Sequence, residues 1–281
     1  MKLEWSKYCL DLDRKTCIMG ILNTTPDSFS DGGRHADIAA AVEHGIRMAE
    51  DGADIIDIGG ESTRPGSDPV PLDEELRRTI PVIEKLAEKI PVPISIDTYK
   101  SAVAEMAIKA GASMVNDISG LRFDPKMPET IARHKVPAVI MHIKGRPKDM
   151  QKDPEYTDLM EEIIDYFRIS IRLAKKFGIP EEMLIIDPGI GFGKTFDHNL
   201  ELINNLDKLS ILKRPILVGP SRKAFLGRIL DNAPASERLE GTSAACAVSI
   251  MKGANILRVH DVKEIAKVAK VVDAIKRERV V

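Results

Sequence analysis

Residues 93–117 read PISIDTYKSAVAEMAIKAGASMVND. Two short apolar runs, 93–96 and 113–115, enclose a helical pattern near 100–110. Each run is brief, rich in β-branched residues and apolar on both faces. That is how a strand buried on both sides of a parallel sheet reads. Short polar side chains follow directly, Asp97 after the first run and Asn116-Asp117 after the second. The stretch is one strand–helix–strand unit with polar groups at the strands' C-terminal ends.

The same unit repeats in both directions along the chain. Further runs occupy 17–22, 53–58, 138–141, 184–186, 215–218 and 255–259. Helical patterns lie near 36–50, 73–89, 127–134, 156–177, 198–206, 222–230 with 237–252, and 262–277. Eight strands, each followed by a helix, predict an α/β fold of the (β/α)8 TIM-barrel type. No low-complexity linker divides the chain, so a single domain over 1–281 is expected. A doubly wound open sheet is the alternative. It usually has fewer strands, and its first turn would carry a glycine fingerprint that is missing here.

Composition narrows the function. The chain has 281 residues, 41 basic and 43 acidic, for a net charge of −2. Signs are interspersed, so a broad nucleic-acid surface is excluded while a local basic site is not. No apolar run is long enough for a membrane span, and the first residues lack a signal core, so a cytoplasmic protein is expected. Cys9, Cys17 and Cys246 are scattered and odd in number, reading as small core residues in a reducing compartment.

A polar residue follows or closes each run: Asn23, Asp57 within the end of the second, Asp97, Asn116, His142, Asp187, Lys223, and Arg258 with His260 closing the eighth. In a barrel these ends converge on one mouth. Asp57 is the weakest member and reads as a brace for the loop it precedes. Asp97, Asn116 and Asp187 form an acceptor set, with Asn116 also a donor, suited to a flat heterocycle bearing ring N–H and amino groups. Lys223 would bond the heterocycle or pair with an acid. The segment 187–195, DPGIGFGKT, lacks the glycine spacing of a phosphate loop, since Pro188 stands where a glycine is required. It reads as a glycine loop approaching a flat ligand, with Phe192 at its edge. Arg258-Val259-His260 puts two basic residues on one strand face, beside Ser221-Arg222-Lys223, in the usual phosphate corner of a barrel. Pairing of the arginine with an acid such as Asp261 is the plainer alternative. Long loops, 23–33 and 59–71, follow the first two runs and are rich in Gly, Pro, Ser and Asp. They read as mobile lids carrying Asp31, Phe29 and Arg64.

The segments GILNTTPDSFSDGG (20–33), DIGGESTRPG (57–66), SIDT (95–98), DPGIGFGK (187–194), SRK (221–223), ERLEGT (237–242) and RVHDV (258–262) run in order along the chain. On these the sequence resembles the dihydropteroate synthases, pterin-binding (β/α)8 enzymes of folate biosynthesis. The resemblance implies condensation of a dihydropterin methyl diphosphate with 4-aminobenzoate. It implies a pterin pocket of Asp97, Asn116, Asp187 and Lys223. It implies a diphosphate site of Asn23, Thr63, Arg258 and His260, with Asn23 also a Mg2+ ligand. Phe29, Asp31, Arg64 and Pro71 would lie on loops over the aminobenzoate, near Ser221 and Ala224. Family members are usually homodimers through helices near the C-terminus. Asp31, Asp97, Lys223, Arg258 and His260 would act in catalysis. Many members have Ser where this chain has Ala224, and Pro220 is also less usual. Both differences bear on the aminobenzoate side and on sulfonamide sensitivity. A methyltetrahydrofolate:corrinoid methyltransferase, or a pterin-binding barrel without catalysis, are the alternatives.

Overall fold

The computed structural model describes residues 1–25 and 34–279, with the side chains of 34–36 excepted. Phe29 and Asp31, expected on the first lid, therefore lie outside the described residues. A small antiparallel hairpin comes first, β1 (Lys2–Trp5) and β2 (Tyr8–Asp11). Then follow β3 (Cys17–Asn23), α1 (Arg34–Glu50), β4 (Ile55–Gly59), α2 (Leu72–Ala87), β5 (Ile94–Asp97), α3 (Ser101–Lys109), β6 (Met114–Asp117), α4 (Met127–His134), β7 (Ala138–Met141) and α5 (Leu159–Lys176). The remainder is β8 (Leu184–Asp187), α6 (Phe196–Asn204), β9 (Leu217–Val218), α7 (Ala224–Ile229), α8 (Leu239–Met251), β10 (Ile256–Val259) and α9 (Val262–Arg277).

β3 to β10 form one parallel sheet in the order β8-β7-β6-β5-β4-β3-β10-β9. It closes between β8 and β9 through a parallel bridge, Ile186 to Ile216, and the Ile186 N–H donating to Pro215 O at 2.9 Å. The expected TIM barrel is present, and its helices lie outside the ring. Side chains alternate across each strand. Ile56, Ile58, Ile96, Val115, Ile140, Ile186, Val218 and Leu257 point outward and pack under the helices. Cys17, Met19, Ile55, Met114, Val139, Ile185, Leu217 and Ile256 fill the barrel interior.

The hairpin was not expected. Its strands are four residues long, the first (KLEW) alternating polar with apolar and the second (YCLD) burying only Leu10, so neither is a run apolar on both faces. Leu3, Trp5, Leu10 and Leu12 pack against the interior cluster and plug the N-terminal end of the barrel. At about 1.5–3 kcal/mol per large apolar side chain buried, this plug is a substantial part of the core. Two smaller readings also change. The helix expected from 222 begins at Ala224, because Arg222 sits at φ 58 and Lys223 caps the helix from extended backbone. Cys17 and Cys246 are buried as expected, but Cys9 is exposed on the hairpin.

Candidate active site

The mouth follows from the strand period. Two residues beyond an interior apolar side chain, the next inward position lies at the strand's C-terminal end. Ile55 is followed so by Asp57, Met114 by Asn116, Ile185 by Asp187 and Ile256 by Arg258, while Ser95 is followed by Asp97. One layer of the barrel is thus apolar and the layer above it polar. By the same parity His142 and Asp117 turn away. Asp117 accepts from the Ser119 and Leu121 N–H groups at 2.8 and 2.9 Å, as a turn former. His142 Nδ1 lies 2.9 Å from Lys194 Nζ under the glycine loop, with its ring 4.7 Å from Tyr166. The expectation that all eight polar ends converge is corrected for His142, while at the end of β6 Asn116 faces the mouth and Asp117 does not.

Arg258 is the centre of the polar layer. Its Nε donates to Asp57 Oδ2 at 2.6 Å and its Nη2 to Asp97 Oδ2 at 2.5 Å. Asn116 Nδ2 also donates to Asp57 Oδ2, at 3.0 Å. Asp57 is wholly buried and links two other site residues, so its role as a mere loop brace is corrected. The acidic partner of Arg258 is this pair rather than Asp261. Asp261 instead takes Arg222, whose Nε donates to it at 3.0 Å. Burial works against the Arg258 charge, but Asp57 and Asp97 more than offset it and hold its pKa above the ordinary value. Asp97 is pushed up to about 7 by burial, against the pull of Arg258 and with the repulsion of Asp57. Burial likewise raises Asp187 to about 6, although the Gly189 N–H donates to its Oδ1 at 2.7 Å. Oδ1 of Asp97 is buried with no hydrogen-bond partner among the described residues. An orphaned buried carboxylate oxygen is costly and calls for a donor.

Lys223 closes the pocket from the β9 side. Its Nζ sits 4.2 Å from the Phe192 ring centroid. Burial, then the Arg258 charge, lower its pKa to about 8. The glycine loop permits this approach. Gly191 has φ 80, and a Cβ there would lie 3.2 Å from Lys223 Cδ. Gly189 has φ 71, and a Cβ there would meet the His142 carbonyl oxygen at 2.0 Å. Ile118, Met141, Ile143 and Met150 form an apolar cluster beside it, with Tyr99, Phe123 and Phe192 packed against them.

At the β9/β10 corner the His260 amide donates to Ser221 Oγ at 3.2 Å, and Oγ lies 3.0 Å from His260 Nδ1. The hydroxyl then donates to Nδ1, which assigns the neutral ring's proton to Nε2. Burial, then Arg258 and Arg222, lower the His260 pKa to about 3, so the ring is neutral at physiological pH in this state. The side chain of Val259 is fully buried in the outer core, so only its backbone can face a ligand. Ala224 is exposed at the first turn of α7. Pro71 is exposed as the N-cap of α2, and Thr63 and Arg64 lie on the loop before it. Arg64 is close enough to contribute to the lowering of Lys223. Asn23 is half-buried at the end of β3 and pairs with Gly59 across the strand. No cluster of three or more acidic, His or Cys ligands occurs among the described residues. Mg2+ seldom needs such a cage, taking one or two protein oxygens and completing its shell with phosphate and water. The Asn23 carboxamide fits that mode. Lys194, nearly fully buried, is a member that the sequence does not single out, because nothing in the glycine segment shows that its ammonium turns inward to His142.

A barrel mouth with buried acids around a part-buried arginine, and a lysine over an aromatic ring, suits a flat, nitrogen-rich heterocycle carrying an anion. The chain matches the family described as pterin binding enzyme over residues 19–260 and belongs to it. Dihydropteroate synthase of Bacillus subtilis (strain 168) is 50% identical over 265 residues, covering 94% of this chain and 90% of that one. The Yersinia pestis dihydropteroate synthase solved with a sulfonamide drug superposes with TM-score 0.93 at 44% identity, covering 99% and 100% of the two chains. The Xanthomonas albilineans enzyme in complex with 7,8-dihydropteroate gives TM-score 0.89 at 41% identity, over 98% and 99%. Within the pterin-binding enzymes, the chain belongs with the dihydropteroate synthases.

Proposed function

We propose that this barrel joins a dihydropterin methyl diphosphate to 4-aminobenzoate, giving 7,8-dihydropteroate and diphosphate, and that the whole chain acts as one catalytic unit. The observation that carries the pterin site is the buried, unpartnered Oδ1 of Asp97 beside Asp187, Asn116 and Lys223. The ring N–H and amino groups of a pterin would donate to Asp97 and Asp187, Asn116 would bond both ways, and Lys223 would donate to a ring acceptor. The diphosphate would lie toward Arg258, His260, Thr63 and Asn23. An anion there favours the charged ring, so His260 would take up a proton as substrate binds. Asn23 would hold Mg2+ together with the diphosphate oxygens, and the ion would neutralise charge on the leaving group.

The chemistry needs no nucleophilic side chain. The methylene carbon–oxygen bond breaks and its electron pair leaves with diphosphate. The ionised carboxylate of Asp97 or Asp31 would stabilise the pterin-conjugated cation. The arylamine lone pair forms the new carbon–nitrogen bond, and its proton passes to diphosphate or solvent. Arg64, Pro71, Phe29, Ser221 and the backbone at Ala224 would frame the aminobenzoate. A methylene-carbon isotope effect typical of strongly associative attack would refute this order of events. The activity itself is tested by incubating the protein with the pterin diphosphate, Mg2+ and 4-aminobenzoate. Diphosphate release that needs both organic substrates is expected, and its absence refutes the assignment.

We further infer a cytoplasmic homodimer. No helix of the described residues is long and apolar enough to cross a membrane. Val248 and Met251 of α8 and Val271 and Ile275 of α9 are exposed, the last at 63%. α8 and α9 pack together, so their outer faces supply neighbouring apolar surface suited to a second copy. Met251→Asp with Ile275→Asp should give a monomer by light scattering, and an unchanged mass would reject this interface.

A further inference from the structure

We propose that Lys100 is a positioning residue for the aminobenzoate half of the site, acting as a clasp that joins the two ends of the 60–71 loop. The proposal rests on the reading that Thr63 and Arg64, which lie between those ends, face the arylamine and the leaving group.

Lys100 is the N-cap residue of α3, three residues beyond Asp97. Its ammonium has three donors, and all three are used. One goes to Glu61 Oε2 at the start of the loop. One goes to the Val70 carbonyl at the loop's end, at 2.7 Å. The third goes to Glu75 Oε2 on α2, at 2.5 Å. The other Glu61 oxygen accepts from the Tyr99 hydroxyl, so neighbouring residues hold both arms of one carboxylate. Glu61 and Glu75 are 6% and 1% exposed, and Lys100 is 20% exposed. This is a largely desolvated charge cluster rather than a surface pair, and breaking it leaves buried carboxylates unpaired. Burial works against the Lys100 ammonium, but the bonds to Glu61 and Glu75 outweigh it and raise its pKa, so it stays charged.

The surrounding contacts support the clasp. Gly60 lies flat on α2, where a Cβ would come within 2.7 Å of Thr79 Cγ2, and Arg78 Nη1 donates to its carbonyl at 2.9 Å. The start of the loop is therefore fixed to α2, and Lys100 brings the end back to it. With both ends held, the conformations open to Thr63 and Arg64 are few. At the tip, by contrast, the Gly66 N–H donates to Pro147 O at 2.9 Å, and Asp68 pairs with Lys148 at 77% and 69% exposure. Such an exposed pair contributes little. The loop thus has a firm root and a weakly held tip, as a segment that opens to admit substrate requires.

The test uses the full-length enzyme carrying Lys100→Met, with Tyr99→Phe as a milder variant and Lys148→Ala as a control. For Lys100→Met, the KM for 4-aminobenzoate should rise about tenfold, while equilibrium binding of the pterin lacking its diphosphate changes less than about twofold. Tyr99→Phe should move the same KM about two- to threefold, and Lys148→Ala should not move it. Lys100→Arg should recover part of the loss, because its planar fork cannot reproduce three divergent donors. Hydrogen exchange across 60–71 should speed up in Lys100→Met, with the barrel strands unchanged. Equal rises in both substrate terms, an unmoved aminobenzoate KM, or unchanged loop exchange would overturn the clasp. If Lys100→Met does not fold, the same outcomes are read on Tyr99→Phe. A wild-type protein that releases no diphosphate would overturn the functional reading instead, and loop exchange would still decide whether Lys100 anchors the segment.

Discussion

Replacing Asp57 with Asn removes one carboxylate from the centre of the mouth and keeps its volume. Arg258 then has one ionised partner, Asp97, where it had two. Both carboxylates bond the same guanidinium, so their charges lie roughly 5 Å apart. At an effective dielectric constant of about 20, that repulsion is on the order of 3 kcal/mol. Part of it is relaxed by the change in Arg258, which leaves a fall of about one to two units in the Asp97 pKa from its value of about 7. In the proposed pterin site Asp97 must be ionised to accept with both oxygens. The acid limb of kcat/KM for the pterin diphosphate should therefore move from near pH 7 to near pH 5–6. Asp187, at about 6, then sets the lower part of the limb. Stability should fall by roughly 2–3 kcal/mol, since the bond to Arg258 weakens and Asn116 loses a charged acceptor. The pH profile of initial rates between pH 4.5 and 9, with thermal denaturation alongside, measures both. An acid limb that stays in place or moves upward would refute the coupling of Asp57 to Asp97 through Arg258.

Gly189→Ala forces a Cβ into a backbone carbonyl at a positive φ, so it should lower the melting temperature by several degrees and abolish pterin binding, as calorimetry would show. Phe192→Ala removes the ring beneath Lys223, and a cation–π contact of about 0.5–2 kcal/mol predicts a roughly 2–30-fold weaker pterin diphosphate KM with little change in melting temperature. Cys9 is exposed, so it should react with a thiol reagent in the native protein, slowly near neutral pH because desolvation and the Glu4 carboxylate raise its thiol pKa. Cys17 and Cys246, pushed up to about 12 by burial, should react only on unfolding.

The architecture was legible because it rests on a repeated, local signal. Strands such as Ala138–Met141 must be apolar on both faces, and that pattern survives in the chain as written. The hairpin escaped because its four-residue strands are too short and too mixed in polarity to stand out from surface loop until a barrel end lies above them. The site was partly legible for a related reason. Asp97, Asn116 and Asp187 each follow an apolar run and Arg258 stands near the end of one, so their position on the strand was readable. Asp57 was undervalued, because its worth depends on Arg258, 201 positions away in the chain.

The sequence by itself determined the barrel, the polar ends of its strands and the family, since each is carried by spacing or by continuous motifs. Only the tertiary structure decided which charges meet. Arg258 faces Asp57 and Asp97 while Arg222 takes Asp261, His260 is neutral against Ser221, and Lys100 gathers Glu61, Glu75 and the Val70 carbonyl. Pairing of charges depends on distance and burial, which closing the barrel sets and the order of residues does not contain.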